Sequence, residues 1–597
     1  MPAQTHPRGG DWAEPQVLRP AAPPATALRE VATRTGARPV QASIPEAALD
    51  DVLADVQLTG IEQRSNAVQQ GDLFAGLAGA KAHGARFARD AVARGAVAIF
   101  TDPAGAELIG DIEVPVLVHD APRSVLGELS SALYGDPSRK LRIVGITGTS
   151  GKTTTSYLVE AGLAAAGLRT ALIGTIETRI GGVRVPSALT TPEAPQLHAM
   201  FALMVEQGVQ AVVMEVSSHA LALGRVDGVT FAVGAFTNLS QDHLDFHSDF
   251  EDYFEAKRRL FIPDGPDTAA TPRPAVAARA SVICVDDEWG QRLAGEIADN
   301  LDSLDDPNNT AGVDPGQKRA GMTGEAAGMA GEPAGEAAEA AGAVRSGLVT
   351  IATRPGAQAD WTASAAHAAV GGIQEFTAAG PLGAVDVRLR LPGAYNIANG
   401  LLAVAVCAAA GVDAATAAAA LAEVDVPGRM QRVDEGQDFL AVVDYAHKPA
   451  AIESVVATLR ALLAEQGEGR LAVVVGAGGD RDAGKRPLMG AAGARGADLL
   501  IITDDNPRGE DPAAIRAAVR AGADQVPPGE RGEVREVGDR AAAIEAAVDW
   551  ARPGDVVLVA GKGHETGQEI AGVKHRFDDR EVLAAALSRK TRDLTHS

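Results

Sequence analysis

The chain has 597 residues, 46% of them apolar, enough for about three or four domains with large cores. Its 78 acidic residues outweigh 54 basic ones, a net charge of −24, which speaks against nucleic acid as the main partner because phosphate-backbone binding needs clustered cations. Two distant cysteines (Cys284, Cys407), no apolar signal segment and no run long enough to cross a bilayer (the most apolar is Leu401–Ala410) make the expectation a cytoplasmic protein without disulfides or membrane insertion.

Residues 1–40 are rich in Pro, Ala and Arg without periodicity and read as a disordered tail. Over 41–138, short strand-like runs such as Ala96–Phe100 and Pro115–His119 alternate with helical ones, which predicts a small α/β domain. From 139 to 392, strands are predicted at 141–147, 171–176, 209–216 and 230–236 with helices between them, the order of a parallel sheet. Within this block, 302–345 is mostly Ala, Gly and Glu with little to bury, and reads as a disordered insertion; the Pro-rich stretch Pro263–Pro274 reads as a shorter loop of that kind. A last α/β block, 393–597, has an Ala-rich helix at 397–410 and strands at 439–444, 471–475, 499–503 and 555–560. The fold class is α/β throughout.

The strand at 141–147 leads into Gly148-Thr149-Ser150-Gly151-Lys152-Thr153-Thr154, and a helix follows. That order builds an anion site: backbone N–H groups and the helix N-terminus point into one concavity, Lys152 reaches outer phosphates, and the Thr153 hydroxyl is placed for Mg²⁺. The standard spacing would need glycine at 146, where this chain has Ile146, so the loop is a shortened variant. Glu215 ends the next strand but one, and a carboxylate there suits a hard cation. His243 is a second candidate ligand or simply a turn residue, and His247 leans towards a structural role. In the last block four predicted strands end in polar or glycine-rich turns, at 444–447, 476–481, 504–508 and 561–565. Ligands bind at the carboxyl edge of such sheets, so these turns outline a site.

The motifs Thr147–Thr153, Glu215-Val-Ser-Ser-His219, Asp242-His-Leu-Asp245, Leu391-Pro-Gly-Ala-Tyr-Asn-Ile-Ala-Asn399, Pro427-Gly-Arg429 and Asp444-Tyr-Ala-His447 occur in this order. Together they resemble the Mur ligase family, ATP-dependent amide-forming enzymes of peptidoglycan precursor synthesis, over roughly residues 58 to 585. The closest likeness within it is to the type that adds 2,6-diaminopimelate to UDP-N-acetylmuramoyl-L-alanyl-D-glutamate. The resemblance implies an N-terminal domain for the UDP-sugar, a central P-loop ATPase domain and a Rossmann-like C-terminal domain for the incoming amino acid. It implies ATP phosphates on Gly148 to Thr154, Mg²⁺ arranged by Thr153, Glu215 and His243, and a carbamylated Lys257 beside the metal. Asn396, Asn399, Arg429 and Asp444 match positions around adenine and ribose, with His447 close by.

The UDP-dipeptide would meet Thr190, Thr191, Ser217, Leu223 and Arg225, and in the N-terminal domain Ile61, Gln63, Ala80, Lys81 and Ala82. There the family's Asp-Ser-Arg appears as Glu62-Gln63-Arg64, which makes Gln63 a substitute for a serine contact. The diaminopimelate pocket would comprise Arg481, Asp505, Asn506, Pro507, Arg508, Gly561 and Glu565. A buried, unpaired carboxylate costs several kcal/mol, so selecting a second carboxylate on the far carbon needs an added cation, and Arg508 supplies it. Relatives that add L-lysine lack this arginine; lysine addition is the nearest alternative. A folylpolyglutamate synthetase, or a non-catalytic ATP-binding scaffold, fits the motifs less well.

Overall fold

The computed structural model describes residues 18–40, 46–79, 81–185, 189–240, 242, 246–263, 276–305, 347–369, 372–381, 383–467 and 469–596. The expected insertion therefore falls outside the described residues from 306 on, as does most of Pro263–Pro274. The helix Glu288–Asp305 takes in residues 302–305, so the insertion does not begin at 302 as the sequence reading had it.

The centre of the molecule is an eleven-stranded sheet. Its middle is parallel, in the order Thr170–Ile173, Ala211–Glu215, Arg142–Thr147, Val233–Phe236, Ala280–Cys284, Leu348–Ala352 and Trp361–Ala368. Side chains alternate across these strands, so each strand feeds two cores. Val144, Ile146, Ala211 and Val213 face the helices Lys152–Ala165, Tyr395–Ala409 and Ala414–Leu421, while Ile143, Val212 and Met214 face the helices Ala194–Glu206 and Phe250–Arg258. Both faces are covered, which is why the strands are apolar at nearly every position.

The sheet is not wholly parallel, as the sequence reading had it. Thr178–Ile180 and Val183–Val185 extend one edge antiparallel, and Gln374–Gly380 and Gly383–Leu389 extend the other. The boundary at 393 also moves. The helices Tyr395–Ala409 and Ala414–Leu421 share a core with Val144 and Ile146, so they belong to the central domain, and the C-terminal sheet starts at Gln431–Arg432.

That sheet has six strands, ordered Gln431–Arg432, Leu440–Asp444, Val556–Ala560, Leu471–Ala477, Leu499–Asp504 and Glu533–Glu536, parallel except for the first. The N-terminal sheet has five, with Gly60–Glu62, Asp72–Ala75, Ala96–Thr101 and Val116–Val118 parallel and Arg38–Pro39 antiparallel at the edge. Residues 18–40 are therefore not a disordered tail. The helix Leu28–Thr35 buries Leu28 and Val31, and Arg19 pairs with the buried Asp72 at 2.5 Å. Residues 1–17 lie outside the described residues.

Candidate active site

The strand Arg142–Thr147 delivers the loop Gly148–Gly151 to the carboxyl edge of the central sheet, where the helix Lys152–Ala165 begins. Two glycines make the turn. Gly148 has φ 139°, and a Cβ there would lie 1.9 Å from Thr237 Oγ1; Gly151 has φ 86°, and its Cβ would lie 2.4 Å from Asn399 Oδ1. Asn238 pins the loop from the next strand end, accepting from Thr149 N through its carbonyl (2.9 Å) and from Ser150 N through Oδ1 (3.0 Å). Lys152 folds back and donates to the carbonyls of Gly148 and Thr149, both at 2.9 Å. Lys257 donates to the same Gly148 carbonyl at 2.9 Å and lies over the Tyr253 ring. Burial pulls Lys152 below the usual lysine range against the opposing pull of Glu215; burial and then Lys152 push Lys257 well below it. The loop amides, Lys152 and a helix N-terminus converging on one concavity select an anion.

Glu215 is buried and takes four hydrogen bonds: from Thr153 Oγ1 at 3.0 Å on each carboxylate oxygen, from Thr175 N at 2.8 Å and from Thr175 Oγ1 at 3.1 Å. Thr175 Oγ1 also lies 3.0 Å from Thr190 Oγ1. Carboxylate and hydroxyl oxygens crowded beside an anion loop are a hard donor set, and Thr153 with Glu215 fits Mg²⁺ on that ground. His243 and Ala80 lie outside the described residues. His247 is buried against the rings of His219, Phe246 and Tyr253, with Nδ1 3.3 Å from Asp252, a structural role.

The acceptor-side residues continue from Glu215. Thr191 Oγ1 donates to the Glu215 carbonyl (2.9 Å) and accepts from Ser217 N (3.2 Å). Arg225 donates to the Thr191 carbonyl (3.3 Å) and pairs with Glu193 at 2.8 Å. Leu223 lines a cleft of about 240 Å³ between the central and N-terminal domains, shared with Leu77, Ala78, Asp102, Arg123 and Ser124. Lys81 and Ala82 are exposed in a turn closed by Gly79 N donating to the Ala82 carbonyl at 3.2 Å. Ile61 packs its side chain into the N-terminal core, so only its backbone is left for a ligand. Gln63 is half-buried, and its N–H donates to Glu62 at 2.9 Å.

On the other side of the loop, Asn399 Nδ2 donates to Asn396 Oδ1 at 2.9 Å and Asn396 Nδ2 to the Pro392 carbonyl at 2.8 Å. Asp444 accepts from Met430 N and Ala446 N, both at 2.8 Å, and Arg429 lies over the Tyr445 ring. Burial raises the Asp444 carboxyl, with Arg429 opposing. Lys448 bonds Asp242 at 2.7 Å and so joins the C-terminal domain to the central one.

At the carboxyl edge of the C-terminal sheet, Arg508 takes φ 53° and donates through a guanidinium N–H to the Gly479 carbonyl at 2.8 Å. Arg481 and Arg508 both pack over Gly478, where a Cβ would come within 2.9 Å of Arg508 and 3.9 Å of Arg481. The carbonyl of Pro507 would be 1.9 Å from a Cβ on Gly479, so the turns at 478–481 and 505–508 are in close contact. On the same turn as Arg508, Asn506 donates to Glu565 at 3.0 Å, and Gly561 (φ 122°) lies beside Asp505. The turns that carry Arg481, Asp505 to Arg508, Gly561 and Glu565 thus lie at one sheet edge.

Three family profiles match in chain order: "Mur ligase family, catalytic domain" over 57–134, "Mur ligase middle domain" over 146–303 and "Mur ligase, glutamate ligase domain" over 428–563. The UDP-N-acetylmuramoyl-L-alanyl-D-glutamate–2,6-diaminopimelate ligase of Corynebacterium glutamicum is 50% identical over 523 residues, 87% of this chain and 89% of that one. The chain belongs to the Mur ligase family. The Streptomyces coelicolor protein of the same name is 47% identical over 92% of this chain and 98% of its own. A solved structure of a ligase with that name has a TM-score of 0.62 at 28% identity, covering 96% of this chain and 100% of the other.

Sequence reasoning missed several residues that hold this Mur ligase's site in shape. Thr175, which fixes Glu215, has no local motif. Asn238 stands just before the Asp242-His-Leu-Asp245 motif, and nothing in the sequence marks it as the partner of the loop amides. Arg19 and Gln196 meet the buried Glu62 from two other segments, Arg19 at 3.7 Å and Gln196 Nε2 donating at 2.9 Å. Only tertiary structure brings them there.

Proposed function

We propose that this Mur ligase couples ATP hydrolysis to ADP with formation of an amide bond between UDP-N-acetylmuramoyl-L-alanyl-D-glutamate and meso-2,6-diaminopimelate, in peptidoglycan precursor synthesis. The observation that carries the choice of amino acid is the C-terminal turn cluster, which gathers Arg508 and Arg481 over Gly478 and joins Glu565 to the same 505–508 turn through Asn506. Guanidinium groups suit carboxylates and carboxylates suit ammonium groups, and diaminopimelate carries two of each. The relatives at 47% and 50% identity bear the name of this activity, and nothing favours lysine.

A carboxylate is a poor electrophile because its leaving oxide is too basic. The D-glutamate γ-carboxylate first attacks the γ-phosphorus of ATP, giving an acyl phosphate and ADP. The substrate amine then adds to the acyl carbon, and the tetrahedral intermediate collapses with loss of phosphate. The loop amides and Lys152 hold the phosphates in line and offset the charge that builds on them. Thr153 and Glu215, with His243 as the further ligand the resemblance implies, would hold Mg²⁺, which would supply further charge neutralisation when bound. Arg225, already braced by Glu193 and the Thr191 carbonyl, can fork onto the acceptor carboxylate. Lys257 is buried beside Lys152 and held well below the usual range, and a neutral amine is the form that takes up CO₂ as a carbamate. No helix among the described residues is long and apolar enough to cross a membrane. A reaction on UDP-linked and amino-acid substrates fits the cytoplasm, the location we propose.

The test compares diaminopimelate with L-lysine as the added amino acid in the wild type and in Arg508→Ala. Strong preference for diaminopimelate in the wild type, lost in the variant, is expected. A variant that kept the preference would remove Arg508 from this role.

A further inference from the structure

Lys562 follows the strand Val556–Ala560, and its side chain is fully buried, at 0% exposure. Its ammonium donates to Asn506 Oδ1 at 3.0 Å and to the Gly567 carbonyl at 2.8 Å, and it lies 3.1 Å from Asp505 Oδ1. An ammonium group taken wholly out of water is costly unless it is bonded and paired, and here two hydrogen bonds are joined by the ion pair with Asp505. Asn506 Oδ1 accepts a second bond from Glu569 N at 3.0 Å, so two donors hold the amide oxygen. The amide NH₂ then has one way to face, and it donates to Glu565 Oε2 at 3.0 Å.

The consequence is one of charge and direction. Asp505 and Glu565 flank one pocket, and two carboxylates facing it would repel each other. Lys562 sits directly against Asp505 and 4.0 Å from Glu565. With Asp505 balanced, Glu565 is the carboxylate left to meet a substrate ammonium, and Asn506 fixes where it points. Arg508 hangs from the same turn, two residues beyond Asn506, so the amide that aims the carboxylate also anchors the segment that carries the guanidinium.

We propose that Lys562 is a positioning residue for amino-acid selection, locking the Asn506 amide and neutralising Asp505 so that Glu565 and Arg508 are presented to the distal ammonium and carboxylate of the incoming amino acid. This rests on the reading of the pocket as the diaminopimelate site, and it assigns to the lysine a part that no direct substrate contact would give it.

The test uses the full-length protein with ATP and UDP-muramoyl dipeptide saturating and diaminopimelate varied. Lys562→Met is expected to raise KM for diaminopimelate about tenfold or more with kcat reduced less than about threefold and KM for ATP unchanged. Asn506→Ala is expected to do the same, and the double variant to fall short of the product of the two single losses, because the lysine acts in part through the amide. Lys562→Gln keeps a donor towards Asn506 and is expected to recover part of the loss; it carries the comparison if the methionine variant does not fold. Unchanged KM in a folded variant, or full additivity in the double variant, would overturn the inference alone. Absence of turnover with diaminopimelate in the unmodified protein would overturn the functional reading beneath it.

Discussion

Replacing Gly148 by alanine would put a methyl carbon 1.9 Å from Thr237 Oγ1, in a backbone conformation that side chains rarely adopt. Gly148→Ala is therefore expected to cost roughly 2–3 kcal/mol of stability and to abolish nucleotide binding. A calorimetric ATP titration at wild-type affinity would contradict that. Glu215→Gln probes a different property. The amide keeps an oxygen for the hydrogen bonds from Thr153 and Thr175 but removes the charge, so ADP release is expected to fall about a hundredfold or more with little change in thermal midpoint. Both residues were legible in the sequence, because a Gly-Lys-Thr turn after a β-branched strand and a carboxylate at a neighbouring strand end have few other uses. Lys562 was visible only as part of a glycine-rich turn; its role depends on Asn506 and Asp505, whose distance cannot be read from spacing.

Segments show the same division. The alternation of strands and helices is plain wherever a run is apolar and bounded by glycine, as at Arg142–Thr147, Leu471–Ala477 and Val556–Ala560. It fails for the antiparallel pair Gln374–Gly380 and Gly383–Leu389, whose Ala, Gly and polar residues are weak strand formers held by their neighbours. The Ala-rich helix expected at 397–410 is there, at Tyr395–Ala409, but in the central domain: it is apolar on nearly every side and must be covered by the central sheet and by the helices Lys152–Ala165 and Ala414–Leu421. The segment 18–40 was misread because its composition resembles a linker, whereas Arg19 reaches Asp72 and Ala21 N donates to Glu206 of the central domain at 2.8 Å. Arg19→Ala leaves a buried carboxylate without its partner and is expected to destabilise the protein by roughly 3 kcal/mol, read as a lowered denaturant midpoint. An unchanged midpoint would show that the N-terminal arm is not part of the fold. The helix Ala194–Glu206 carries a titratable element. His198 is buried with Nε2 donating to the Asp227 carbonyl at 3.0 Å, and burial pushes it down to about 4. The folded state then resists protonation while the unfolded chain accepts it near pH 6.5, so stability is full above that pH and declines as pH falls towards about 4. Between pH 7.5 and 5 the loss is about 2 kcal/mol, and His198→Gln is expected to reduce this pH dependence.

At the scale of the molecule, the anion loop and the amino-acid pocket sit in different domains, so chemistry requires that they approach. The Lys448–Asp242 bond across that boundary is partly exposed and worth at most about 1 kcal/mol, so breaking it is no obstacle to their approach. Small-angle scattering is expected to show a smaller radius of gyration with a non-hydrolysable ATP analogue and UDP-muramoyl dipeptide together. No compaction would count against closure. The central claim is that one polypeptide activates a carboxylate with ATP and passes it to diaminopimelate. The most direct measurement is ADP release by the purified protein with UDP-N-acetylmuramoyl-L-alanyl-D-glutamate and Mg²⁺, with meso-diaminopimelate, L-lysine or no amino acid added. Release that depends on diaminopimelate and yields the tripeptide product is predicted; equal release in all three reactions, or none in any, would contradict the account.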